Sequence, residues 1–147
     1  MDRPLANTMG SAIGIDLRCP PYAAAIYCGP SVRILETKDH KPQVHTVVGL
    51  RRRQGKEDEI RVGEVALNPW RLAPEDSIIE VKRQMGWRAG DPEVQKVRGT
   101  FTNKVVEPLD GTKDGTRVVL GGKQYSPEEM AAMILRKIRE DAEDPRG

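Results

Sequence analysis

Asp16 closes the apolar run Ile13-Gly14-Ile15-Asp16-Leu17, and Lys82 lies inside Ser77-Ile78-Ile79-Glu80-Val81-Lys82-Arg83-Gln84-Met85-Gly86. A carboxylate ending a buried strand can hold a hard cation or cap a turn, and a lysine on a helix margin can meet an anion or stay in water. Taken alone, the turn cap and the solvated lysine are the plainer uses. Arg51, Arg52, Arg53 and Lys56 form the densest positive run, whose chemistry would be binding of nucleic-acid phosphates. Glu57, Asp58 and Glu59 follow at once, however, so a solvated hairpin tip explains that run better. With Phe101 the only phenylalanine, few rings are left for base stacking. Cys19 and Cys28 show no ligand spacing with His40 and His45, so zinc is not indicated.

The elements that must position these residues follow from local pattern. Residues 11–17 and 22–28 read as a hairpin, apolar runs flanking a proline-rich turn. That geometry puts Cys19 near the turn and Cys28 at the far end of the second strand, beyond the ~7 Å reach of a disulfide, so two free thiols are expected. Val32 to Leu35 and Val44 to Leu50 are expected as strands, and the charged turn leads into Ile60-Arg61-Val62. Gly63 to Leu72 looks helical, with Pro69 ending it early or sitting in a first turn after a break. Ser77 with Glu80 has the spacing of a capping box, which predicts a helix from Ser77 to a left-handed Gly86 with Lys82 on it.

Farther on, Asp91-Pro92-Glu93 opens a short helix, and Lys104 to Pro108, Thr116 to Leu120 and Lys123 to Tyr125 are expected as strands, the last two joined by a tight turn at Gly121-Gly122. Ser126-Pro127-Glu128-Glu129 combines a cap, a first-turn proline and a capping-box glutamate. The helix it opens carries Met130, Met133, Ile134, Ile138 and Ala142 on one face, a stripe read as core-facing.

Composition narrows the function classes. A chain of 147 residues is one modest domain, long enough to bury roughly 68–70% of its unfolded surface. Charged residues make up 31% but nearly balance, 24 basic against 22 acidic, so no global field favours nucleic acid or an anionic membrane. No stretch approaches the ~20 apolar residues of a membrane helix. The first ten residues lack the apolar centre of a signal peptide, and a cytoplasmic location is expected.

Three segments in order give a family resemblance. Ile13 to Leu17, then Val62-Gly63-Glu64-Val65-Ala66 running on from Asn68 to Lys82, then Lys123-Gln124-Tyr125-Ser126-Pro127-Glu128-Glu129-Met130 through Glu143, resemble the start of the ATPase domain of the seventy-kilodalton heat-shock chaperones. These DnaK-type proteins belong to the actin-like ATPases. The fold class implied is α/β, an incomplete ribonuclease-H-like or actin-like ATPase lobe. Its expected divisions are a flexible 1–10, a partial lobe over 11–143 and a tail at 144–147. Within the lobe, 11–50 form an inner sheet, 51–124 an outer subdomain and 126–143 a returning helix.

The resemblance implies that Asp16 holds magnesium through water and that Lys82 stabilises charge on the transferring phosphoryl group. It also places Asp16, Leu17, Arg18, Cys19 and Pro20 at the phosphate turn. There the family has Gly-Thr-Thr followed by Asn or Tyr and Ser, whereas this chain has Arg18-Cys19-Pro20-Pro21-Tyr22. Such turns grip phosphate with consecutive backbone N–H groups, and Pro20 and Pro21 have none. In the family, the second phosphate loop, the adenosine pocket and the second lobe lie beyond the segment matched.

The function expected is therefore that of a truncated or degenerate fragment of a DnaK-like chaperone ATPase domain. ATP binding and protein folding come to it by descent, and the chain alone is expected not to turn over ATP. The resemblance implies ATP or ADP with magnesium as cofactors. As partners it implies unfolded polypeptides, co-chaperones, and the missing second lobe or another chaperone chain, with no nucleic acid and no membrane. The alternative is a non-catalytic protein-interaction module derived from that domain.

Overall fold

The structure is a computed structural model that describes residues 12–17, 23–28, 31–36, 42–43, 45–100, 104–111 and 115–143. Its mixed α/β architecture consists of three small antiparallel sheets joined by short helices, with one long helix at the end of the described chain. The first sheet is a meander of β1 (Ile13–Asp16), β2 (Ala23–Cys28) and β3 (Ser31–Ile34). Ile13 pairs with Ile26 and Asp16 with Ala23, so the expected hairpin forms. Cys19 lies outside the described residues, as do Arg18 and Pro20 to Tyr22.

In the second sheet β4 (Val47–Arg51) runs between β5 (Glu59–Val62) and β6 (Ser77–Ile79). β4 is buried on both faces, which explains its unbroken apolar run. Val48 and Leu50 enter the main core, while Val47 packs with Ala66 and Leu67 in a second cluster. Gly63 to Leu72 starts as a 3-10 turn over Gly63–Ala66 and continues as α1 (Leu67–Leu72), with Pro69 inside the first turn.

The charged turn before β5 closes on its own acids. Arg52 donates from Nε to Asp76 Oδ2 at 2.9 Å and from Nη2 to Asp76 Oδ1 at 2.7 Å, and Arg53 lies 3.1 Å from Glu59. Asp76 makes Arg52 hold its proton more tightly than a free arginine does, first through these hydrogen bonds and then through its charge. Two of the three arginines in the run are thus held by carboxylates, Arg52 by Asp76 and Arg53 by Glu59.

α2 (Pro92–Val97) begins with proline after Asp91, although the Asp91 side chain makes no capping bond. β7 (Lys104–Val106), β8 (Arg117–Leu120) and β9 (Lys123–Tyr125) form the third sheet, with Gly121 and Gly122 both left-handed in the turn between β8 and β9. α3 (Pro127–Ala142) opens with the full capping box: Ser126 Oγ accepts from the Glu129 backbone N–H at 3.0 Å, and the Ser126 N–H donates to Glu129 Oε2 at 2.7 Å. Its buried stripe, Met130, Ile134 and Ile138, meets Ala24, Val48, Leu50, Ile78, Val118 and Leu120 in one core that draws on all three sheets. Met133 and Ala142 are only half-buried at its margin.

One expected element is different. Ser77 does not cap a helix: Ser77 to Ile79 are extended and pair with β4, Val47 opposite Ile79 and Gly49 opposite Ser77. Glu80 then takes a left-handed conformation, φ 55 and ψ 33, and Val81–Gln84 forms a single 3-10 turn. β-branched Ile78, Ile79 and Val81 favour the pleated sheet, and the open edge of β4 offers burial that an isolated helix turn could not match. Gly86 is left-handed, as expected, but it follows a turn rather than a helix.

Candidate functional site

The bend after β6 determines where Lys82 goes. Glu80 is the one non-glycine residue with positive φ among those described, a conformation that costs a residue with a β-carbon and persists only where its surroundings enforce it. Those surroundings are visible. Val81 and Gln84, at the two ends of the 3-10 turn, are buried, while Lys82 and Arg83 between them are exposed. Arg83 Nη1 donates to Glu80 Oε2 at 2.8 Å and its backbone N–H to the Glu80 carbonyl at 2.9 Å, which fastens the left-handed residue from both ends. Lys82 is thus presented by a turn with buried ends, not by a helix as the sequence pattern predicts.

Among the described residues the Lys82 ammonium forms neither a hydrogen bond nor an ion pair, although the backbone carbonyl accepts from the Met85 N–H at 3.3 Å. Beside it lies a pocket of about 260 Å³, lined by Leu17, Thr46, Glu80, Val81, Lys82, Met85, Ala131, Ile134 and Leu135. Leu17 is half-buried there, immediately after Asp16, which is the exposed last residue of β1 and is engaged in an interaction of its own. Lys82 and the residue following Asp16 therefore face one cavity although 65 positions of sequence separate Leu17 from Lys82. Arg18, Cys19 and Pro20 fall outside the described residues.

Sequence reasoning missed the α3 wall of this cavity. Ile134 was read only as part of the core-facing stripe, Ala131 and Leu135 were not singled out, and Leu135 is 40% exposed at the mouth. The available signal was Leu135 itself, a large apolar residue one step off the buried stripe. A second, more open groove of about 450 Å³ lies between β5 and α3, lined by Glu59, Arg61, Arg136, Lys137 and Glu140 among others. Its charges are of mixed sign, with Arg61 tied to Glu59 and Lys137 to Asp141.

Among the described residues no group of three or more histidine, cysteine or carboxylate side chains could hold a metal ion. A single carboxylate is still compatible with magnesium, which dehydrates reluctantly and is often reached through its waters. Asp16 and Lys82 are an exposed carboxylate and an exposed ammonium on separate elements. The first sheet also leaves apolar surface open: Tyr27, Val32 and Ile34, on one face of β2 and β3, are 70%, 66% and 50% exposed, and among the described residues β1 pairs on one side only.

Comparison with known proteins gives a consistent result. The family model for Hsp70 protein matches residues 12–147. The chaperone protein DnaK of Thermus thermophilus, in each of two strains, is 39% identical over 134 residues, which is 91% of this chain and 20% of the relative. The chain spans about a fifth of the length of these curated relatives.

Proposed function

The chain belongs to the Hsp70 protein family and covers part of its nucleotide-binding domain, and from that premise we propose that it is a piece of a DnaK-like chaperone ATPase lobe that does not hydrolyse ATP by itself. In this reading residues 11–50 form the inner, ribonuclease-H-like sheet, 51–124 the outer subdomain and 126–143 the returning helix. Asp16 would hold magnesium through water. Lys82 would stabilise charge on the transferring phosphoryl group. Leu17, Arg18, Cys19 and Pro20 would form the phosphate turn in a weakened version, since Pro20 and Pro21 offer no N–H. Magnesium with ATP or ADP supplies the chemistry when bound, and the chain's own contribution is to present one carboxylate and one ammonium toward it.

The observation that carries this reading is the unpaired Lys82, held on a turn with buried ends and lining the same cavity as the residue after Asp16. Isothermal calorimetry of the isolated chain with magnesium and ATP should show no tight binding. A micromolar affinity abolished by Asp16→Ala would overturn the reading of the turn. Joined to the remainder of a DnaK-type protein, with the turn restored to Gly-Thr-Thr, the chain should support ATP hydrolysis that Lys82→Ala lowers steeply. An unaffected rate would remove the role given to Lys82.

A second reading is favoured by the open apolar face at Tyr27, Val32 and Ile34, since contiguous exposed apolar residues can mark a protein contact. On it the chain acts as a non-catalytic module that docks on another chaperone chain or a co-chaperone, or supports unfolded polypeptides with them. Among the described residues no helix is long and apolar enough to cross a membrane, and a cytoplasmic place of action accords with the family. Nucleic acid is not a partner in either reading, because Arg52 and Arg53 of the basic run are engaged by Asp76 and Glu59 and the charge of the chain is nearly balanced.

A further inference from the structure

We propose that the pocket between Leu17, the Val81–Gln84 turn and α3 binds a small amphiphilic anion, an aryl or medium-chain carboxylate, with its tail inside the pocket and its head on Lys82. Such a ligand is distinct from the nucleotide and shares only the lysine with it. The walls, the charge and the size of the pocket all favour it.

The walls are aliphatic. Leu17, Val81, Ala131, Ile134 and Leu135 form them, and beside the charged Glu80 and Lys82 the one polar lining side chain is that of the buried Thr46. A nucleobase brings several donors and acceptors and would leave most of them unpaired there, each at the cost of its lost hydration. An alkyl or aryl tail brings none. Met85, 42% exposed, stands at the edge, and its flexible thioether can adapt to different tail shapes.

The charge is of one sign. Glu80 also borders the pocket, but its carboxylate is taken by Arg83 at 2.8 Å. Lys82 has no such partner among the described residues. A ligand head at the rim therefore meets one uncompensated positive charge, which selects an anion. The volume, about 260 Å³, lies just under the usual range for ligand pockets, about 300–1,000 Å³, and fits a compact tail with a single head group better than a long acyl chain or a triphosphate.

The test is a titration of the isotopically labelled chain, followed by NMR, with octanoate, octanol and acetate below micellar concentrations. Octanoate should saturate and shift the signals of Val81, Ala131, Ile134 and Leu135; octanol should bind the same residues about fivefold more weakly, the upper range for one exposed charge pair; acetate should not saturate. Lys82→Ala should lower octanoate affinity about fivefold while leaving octanol unchanged, and Lys82→Arg should restore it. Ala131→Phe should fill the pocket and abolish both. Should that variant fold poorly, Leu135→Gln at the exposed mouth should weaken acid and alcohol alike. Acetate binding as well as octanoate, or shifts centred on Tyr27, Val32 and Ile34, would overturn the proposal. Calorimetry with magnesium and ATP reads the nucleotide site separately, so either idea can fail while the other stands.

Discussion

Gly49 and Ser77 face each other across β4 and β6 so closely that a β-carbon on the glycine would lie 2.9 Å from the Ser77 hydroxyl oxygen. There is no room to retreat, since the Ala66 β-carbon would stand 3.3 Å away and both Ser77 and Ala66 are fully buried. Gly49→Ala should therefore destabilise the chain by about 1–3 kcal/mol, as overpacking of a tight interior does. Urea unfolding would read it as a lower midpoint at unchanged slope. Among the described residues the Ser77 hydroxyl has no hydrogen-bond partner, so Ser77→Ala alone should be neutral or slightly stabilising, and in combination it should recover part of the Gly49→Ala loss. An unchanged midpoint for Gly49→Ala would show that the two strands slide apart more easily than their packing indicates.

The capping box of α3 should be worth a measurable amount because both of its bonds are made. Ser126→Ala is expected to cost about 1 kcal/mol. Glu129→Ala removes only the returning bond and should cost less. Thermal unfolding followed by far-ultraviolet circular dichroism would rank the two; equal losses would mean that the box acts as one unit.

The open face of the first sheet leads to a solubility prediction. Val32, opposite Tyr27 in the β2–β3 register, is 66% exposed, so Val32→Lys should leave unfolding stability almost unchanged while reducing self-association and binding of hydrophobic dyes. Sedimentation of the variant beside the parent chain checks this. A large stability loss would mean that the face is packed rather than open.

How far the sequence could be read is clearest in its two Ser-x-x-Glu patterns. At Ser126 the pattern is accompanied by Pro127 at the first helical position and followed by the stripe Met130, Ile134, Ile138, so local preference and core-facing period agree, and the helix forms as expected. At Ser77 the same spacing encloses Ile78 and Ile79 and precedes Val81, which prefer a strand, and the deciding partner, β4, lies some 30 positions upstream. Pairing with β4 outweighed the local cap, and Glu80 turned left-handed instead of closing a box. The end of β1 at Asp16 and the exposure of Lys82 were legible. That Leu17 and Lys82 lie toward one cleft was implied by the family resemblance; that α3 completes the cavity was not, because its residues become neighbours of the other two only through the folded core.

The position of α3 in the chain has a consequence for synthesis. Val48, Leu50 and Ile78 belong to strands made early, whereas Met130, Ile134 and Ile138, which cover them, come near the far end of the described residues. At ~5–20 residues per second the ribosome takes several seconds to pass from Leu50 to Ile138, and for that interval the strands have only each other as cover. The helix that completes the interior is therefore also a clock: the nascent chain stays sticky until this one long element emerges, and closure comes in a single late act rather than strand by strand along the way.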